Sequence, residues 1–509
     1  MTPRPLLSDA YTVSGPILQD QDSLDWSVYY GTFKKFPEEL RRWTISPTDE
    51  RILFSGLTDI VNRYLLPPVT EEEIDQTKKF LKDRKYMANG LANYEFNERG
   101  WQFIVHELGG KLPLHIEAMP EGSTVYPNEP VFRVKNTIKG FGWLAAHFEP
   151  ILMKCWATSA RLTYARHWLE YVANLIMDIE NVSYDEAIKL ARLQVHDFGC
   201  RASMSVEEDE TVAMQHLYCF SGTDTFPAAY HAWKRGAPSY EGGSVWALAH
   251  RIVQGYVREG DCYENMYNKA QNHSILSMVA DCYDYKFAVQ NYLVPLAKRS
   301  VSENNGKIVV CRPDSGDPIE MVTWTVKTAI ENGLFTKDKD GFYRGTTLRF
   351  IEGDGMDFET INTIYDELIK MQCLPWHWGL FGIGGFLRNS ITRDCLSTKY
   401  ALCSVGESRR PVIKFSNTPG KETLPNVIVS RFKDNLQSGE TIRYSRETRF
   451  LDAMQNIFWN GCEGANDNFK VIQNRVLKTF CEMPKSAGKY SQEVKNQIES
   501  LRNEYVRTI

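Results

Sequence analysis

Several common signatures are missing from these 509 residues. The 11 cysteines include no Cys-x-x-Cys pair, and their number is odd. That argues against a disulfide framework and for reduced thiols. The 10 histidines never take the His-Glu-x-x-His spacing of a helical zinc site. No apolar run is long enough to span a bilayer. Met1-Thr2-Pro3-Arg4-Pro5 has no signal-peptide core, so a cytoplasmic protein is expected. The net charge is only −5, with 59 basic residues against 64 acidic ones. Neither nucleic acid nor a membrane surface is therefore expected as a partner. Low-complexity tracts, repeats and a Pro/Gly-rich linker are also lacking.

What is present is a large apolar inventory, 43% hydrophobic and 12% aromatic, enough for two domains or one barrel with additions. Residues 1–150 mix strands and helices. A charged helix is predicted over Glu71–Lys82, capped by Thr70. Strands are predicted within Leu112–Ala118 and Val131–Val134, and a helix over 150–180 with Trp168, Tyr171 and Leu175 on one face. From about 190 to 395 the text repeats strand, polar loop, helix. Strand ends fall near His196-Asp197-Phe198, Gly222-Thr223-Asp224, Ala280-Asp281, Arg312, Gly353 and Gly382. Residues 400–509 return to mixed text and close on a charged helix near 490–506. The expected architecture is an α+β domain from 1–150 and 400–509 around an α/β barrel at 151–399.

The chemistry gathers at those strand ends. Ile308-Val309-Val310-Cys311 reads as a buried parallel strand leading into Arg312-Pro313-Asp314-Ser315-Gly316. Arg349-Phe350-Ile351-Glu352-Gly353-Asp354-Gly355 and Gly379-Leu380-Phe381-Gly382-Ile383-Gly384-Gly385 repeat the pattern. Helix-like text follows each one. Carboxylates and bare amides on one rim mark where α/β enzymes keep their active sites. The bare amides around Gly384 and Gly385 suit a phosphate at a helix N-terminus. Asp281, Asp314 and Asp354 suit ribose hydroxyls, a water-mediated cation or a developing positive charge; singly, each could equally cap a helix. Phe198 could stack on a flat ring or simply fill the core, and Asp224 could accept from an amide.

In this order the motifs resemble the nicotinamide phosphoribosyltransferases, within the type II phosphoribosyltransferase group. The resemblance runs from Ser8-Asp9-Ala10-Tyr11 through Phe96-Asn97-Glu98-Arg99-Gly100-Trp101 and Met119-Pro120-Glu121-Gly122. It continues through His196-Asp197-Phe198-Gly199, Phe220-Ser221-Gly222-Thr223-Asp224-Thr225, Arg312-Pro313-Asp314-Ser315-Gly316, Gly353-Asp354-Gly355 and Thr392-Arg393-Asp394. It implies an irregular α/β barrel plus an α+β domain, and a homodimer with shared active sites. The implied reaction joins nicotinamide to phosphoribosyl pyrophosphate, with Mg2+, giving nicotinamide mononucleotide and pyrophosphate for NAD salvage. By the same resemblance, Phe198 and the other subunit's Tyr11 sandwich the pyridine. Asp224 takes the carboxamide, and Ser277 and Arg312 line the base pocket. Asp314, Gly353 and Asp354 hold the ribose, and Gly384 and Gly385 the 5′-phosphate. Arg201, Arg393, Lys414 and Lys421 meet phosphates, and Asp281 sits near the pyrophosphate and, through water, the metal. His250 corresponds to a histidine that ATP phosphorylates.

The chain also departs from the family pattern. Thr12 replaces a basic residue, Ala249 and Arg251 are unusual neighbours for His250, Phe386 replaces a third glycine, and Cys403 falls near a lysine position. Two alternatives follow: a nicotinate phosphoribosyltransferase, or a catalytically silent dimeric binder of nicotinamide or nucleotide.

Overall fold

The computed structural model describes residues 2–84, 95–416, 422–432, 435–443, 453–485 and 492–506. They form two compact units, Met1–Tyr164 with Thr392–Ile509, and Ala165–Ile391. The first boundary lies beyond residue 150, inside helix α1 (Cys155–Glu180). Neither Gly nor Pro interrupts that helix, so nothing local marks a border. The second lies at 391/392 rather than 399/400.

The first unit is built on a seven-stranded antiparallel sheet that interleaves both chain ends. Ser27–Thr32 pairs with Lys399–Val405 on one side and Pro130–Asn136 on the other. Leu114–Ala118 and Gln455–Trp459 extend it. Glu71–Lys82 is the helix the sequence predicts, with Thr70 and Glu73 forming a reciprocal capping box. The charged C-terminal helix is Gln492–Val506. Cys403 is buried with Tyr30, Ala401, Leu424 and Val494, so it is a core residue.

The second unit carries seven parallel strands. They are β1 (Val195–Asp197), β2 (Gly222–Thr223), β3 (Trp246–Ala247), β4 (Ile275–Val279), β5 (Ile308–Arg312), β6 (Leu348–Glu352) and β7 (Gly379–Ile383). Their order is β2-β1-β7-β6-β5-β4-β3. A parallel bridge between Gly222 and Gly243 links the two edges, curling the sheet into an irregular barrel. Strand β3 escapes sequence reading because it has two residues and Trp246 is 59% exposed. On the strand face turned away from Ser277 and Val310, Leu276, Val309, Phe350 and Phe381 are fully buried or nearly so. Trp168 of α1 stacks on Phe358 with ring centroids 4.9 Å apart. From Ala165 to Glu170 α1 is buried on every side. Of the face predicted for it, Trp168 is fully buried, whereas Tyr171 and Leu175 are half-buried.

Parallel strands bring their C-terminal ends to one rim. After β5 and β6 the chain enters helices α2 (Pro318–Glu331) and α3 (Phe358–Lys370). After β7 it does not. Only a five-residue π-helical turn, Phe386–Ser390, follows, which corrects the expected helix N-terminus behind Gly384 and Gly385. Phe386 instead packs edge-on against Phe358.

Candidate active site

Within the second unit, a cavity of about 740 Å3 opens at the rim. Phe198, Arg201, Asp224, Arg312, Asp314, Gly353, Asp354, Gly384 and Gly385 all line it. Residues spread over nearly two hundred positions converge because each follows a strand of one parallel sheet.

Phe198 follows β1, its backbone N–H bonded to the Ile383 carbonyl of β7 at 3.0 Å. Its ring lies against Gly353 and Gly382; a Cβ at Gly353 would stand 3.0 Å from the ring, and one at Gly382 would overlap it. Those glycines therefore make room for the aromatic face. The Arg312 guanidinium lies 5.6 Å from the Phe198 ring centre. Arg312 also donates from Nη2 to Asp314 Oδ1 at 2.8 Å.

A carboxylate–imidazole chain continues from there. His250 Nδ1 is 3.8 Å from Asp314 Oδ2, and its Nε2 is 3.0 Å from Asp281 Oδ1. Ser315 donates to Asp281 Oδ2 at 2.6 Å. His250 is thus oriented by two acids from separate strand ends. At the other side of the cavity Ser244 donates its hydroxyl to Asp224 Oδ1. Burial lowers the basicity of nearby His196, and the Asp224 carboxylate partly offsets this.

Ser277 does not line this cavity. Paired with Val310 inside the barrel, it lines a second space of about 310 Å3 with Ser244, Arg349 and His196. Tyr11, Arg393 and Lys414 belong to the first unit. Tyr11 is 72% exposed, Arg393 is paired with Asp394, and Lys414 is exposed. Lys421 lies outside the described residues.

Three contributors escaped sequence reading. Ser315 sat in plain view beside Asp314, but serine is too common to single out. Glu352 is buried, and its Oε1 accepts the N–H groups of Gly353 and Asp354. Burial pushes its carboxyl up to about 8, the two N–H groups oppose this, and Asp354 and Asp314 add to the rise. Arg388 is also buried; it donates to Asp197 Oδ2 at 2.6 Å and to Ser203 Oγ at 2.8 Å. Asp197 in turn accepts the Gly199 N–H at 2.8 Å. This pair ties the Phe198 segment to the chain just after Gly384 and Gly385. The guanidinium and the burial that desolvates the pair act oppositely on Asp197, and its carboxyl ends below the ordinary range.

Carboxylate oxygens are the hard donors that Mg2+ prefers. Among the described residues, no three ligand side chains converge on one point of this cavity. A cation here would keep much of its water and take oxygens from a substrate. Asp281, expected to reach a metal through water, does not line the cavity; its two oxygens face His250 and Ser315.

A parallel barrel whose rim gathers acids, an arginine-backed aromatic and glycine loops defines a ribose- and phosphate-handling transferase. Comparison with known proteins makes this specific. Residues 193–460 match the model of the nicotinate phosphoribosyltransferase (NAPRTase) family, so the chain belongs to that family. Residues 17–116 match the N-terminal domain of nicotinamide phosphoribosyltransferase. The chain is 29% identical over 359 residues to the nicotinamide phosphoribosyltransferase of Xanthomonas campestris, covering 70% of this chain and 73% of that one. It is 27% identical over 380 residues to the protein of the same name from Acinetobacter baylyi, covering 68% and 72%. Among solved structures it resembles human nicotinic acid phosphoribosyltransferase, with a TM-score of 0.55 at 13% identity over 97% of this chain and all of that one. That likeness concerns the fold.

Proposed function

We propose that this protein is a nicotinamide phosphoribosyltransferase of NAD salvage, forming nicotinamide mononucleotide and pyrophosphate from nicotinamide and phosphoribosyl pyrophosphate. The observation that carries this reading is one cavity shared by Phe198, Arg312, Asp224, Asp314 and Asp354. An aromatic face beside a carboxylate suits a flat carboxamide. Asp224 accepts from an amide NH2 and repels a carboxylate, which favours nicotinamide over nicotinate. Departure of pyrophosphate builds positive charge on the ribose, and the fixed carboxylates of Asp314 and Asp354 stabilise it. Holding the weakly nucleophilic pyridine nitrogen in line replaces a chance encounter.

The lining holds four carboxylates, Asp224, Asp314, Asp354 and Asp357, against two guanidiniums. A polyphosphate substrate needs more positive charge than that. Mg2+, when bound, supplies it and neutralises the leaving pyrophosphate. Arg393, Lys414 and Lys421 are the further cations proposed, with Tyr11 of a second copy completing the base sandwich in a cytoplasmic homodimer. His250, set between Asp281 and Asp314, is the residue through which ATP would act as an activating co-substrate.

The test is product formation from phosphoribosyl pyrophosphate and Mg2+ with nicotinamide or nicotinate, with and without ATP. Nicotinamide mononucleotide from nicotinamide alone supports the reading, and an ATP effect lost in His250→Ala supports the histidine's role. Product only from nicotinate makes the chain a nicotinate enzyme. Tight nicotinamide binding without turnover makes it a silent homologue.

A further inference from the structure

Strand β6 ends on a glutamate that does not reach solvent: Glu352 is 2% exposed. One oxygen, Oε1, accepts two successive backbone donors, Gly353 N–H at 2.9 Å and Asp354 N–H at 3.0 Å. Two donors meeting at one acceptor fix the backbone of a turn. The far end of the same loop is also pinned. Gly355 takes the left-handed conformation, with φ of +63°, and Asp357 caps α3 by accepting the Thr360 N–H at 2.8 Å. Between these anchors, Asp354 lines the cavity.

The groups acting on Glu352 are the carboxylates of Asp354 and Asp314 and the phenol of Tyr285, from the helical turn Tyr285–Ala288. None of these is a cation, so charge pairing does not explain a glutamate here. Its acceptor oxygen does. The two N–H groups are turned inward and occupied, and Asp357 is engaged as the helix cap, which leaves Asp354 as the loop carboxylate turned to the cavity without a capping role.

We propose that Glu352 is a positioning residue: its carboxyl oxygen holds the Gly353–Asp354 turn so that Asp354 is preset for the ribose hydroxyls of phosphoribosyl pyrophosphate. This rests on the reading that Asp354 takes the ribose. A carboxamide offers the same acceptor oxygen beside a donor, as a protonated carboxyl does. The acceptor matters, and the charge does not.

The experiment is steady-state kinetics of the full chain with both substrates varied, on Glu352→Gln, Glu352→Met and Asp354→Ala. Glu352→Met keeps the length and loses the acceptor. It is expected to raise KM for phosphoribosyl pyrophosphate about tenfold, with KM for nicotinamide unchanged. Glu352→Gln is expected to restore that KM to within about twofold of wild type. A merely structural role would raise both KM values together, and that outcome overturns the proposal. Should Glu352→Met fail to fold by circular dichroism, Glu352→Asp takes its place, since it draws the acceptor back from the two amides. An elevated KM in Asp354→Ala with normal values in Glu352→Met or its replacement sinks the proposal and leaves the functional reading standing. Unchanged kinetics in Asp354→Ala remove the ribose assignment, and the proposal with it.

Discussion

Under the proposed function, Asp224 is the side chain that would decide between the two bases. Its carboxylate, held by the Ser244 hydroxyl, stands in the cavity that Phe198 lines. Asp224→Ser removes the repulsion toward a carboxylate base. The ratio of nicotinamide to nicotinate use should fall about tenfold or more. Nicotinate turnover that stays undetectable in this variant would remove the assigned role. Glu352 makes a second residue-level prediction, on stability. In the fold it keeps its proton to about pH 8, whereas the ordinary value is 4.5. Folding therefore takes up a proton between those values. The native state has its full advantage below about pH 4.5 and loses it as pH rises toward 8. Glu352→Gln binds no proton, so its Tm relative to wild type should climb across that range, by up to a few kcal/mol in stability at the top. Thermal melts at several pH values check this; a constant difference would refute it.

At the scale of elements, the rim depends on a buried pair between two loops. Arg388 and Asp197 have no exposed side-chain surface. The aspartate also accepts the Gly199 N–H, and the arginine reaches Ser203. Arg388→Met strands the carboxylate in a desolvated place and should cost about 3–5 kcal/mol. Urea unfolding measures the loss, and a change under about 1 kcal/mol would mean that water reaches the pair. The same pair shows why part of the site was hidden in the sequence. Asp197 looked like one residue of a strand-end motif, and Arg388 like any basic residue after a glycine loop. Only the adjacency of β1 and β7, which lie far apart in sequence, makes them partners. The glycines were legible for the opposite reason, since a run of them at a strand end is unusual in itself. Their role was not fully legible: Gly382 leaves space for the Phe198 ring.

For the whole molecule, the proposed homodimer places Tyr11 of one copy at the site of the other. Tyr11→Ala and Asp314→Ala proteins are each expected to be nearly inactive. Mixed after mild dissociation, they should recover about a quarter of wild-type activity, because half of the dimers then carry one intact site. No recovery, with subunit exchange demonstrated by mass, would place both residues in the same site of one chain.

The strand ends at residues 195–383, the capped helix Glu71–Lys82 and most of the rim acids could be read from the chain alone. Each rests on a local rule: an apolar run of strand length, a capping pair, or a polar loop after a buried strand. Tertiary structure decided what no local rule reaches. It moved Ser277 into a separate interior space, because strand pairing and not motif membership sets the direction of a side chain. It ended the phosphate loop in a short turn rather than a helix. It buried Glu352 against two amides, and the energy of a carboxyl group depends on the water and charges around it, which sequence neighbours do not specify.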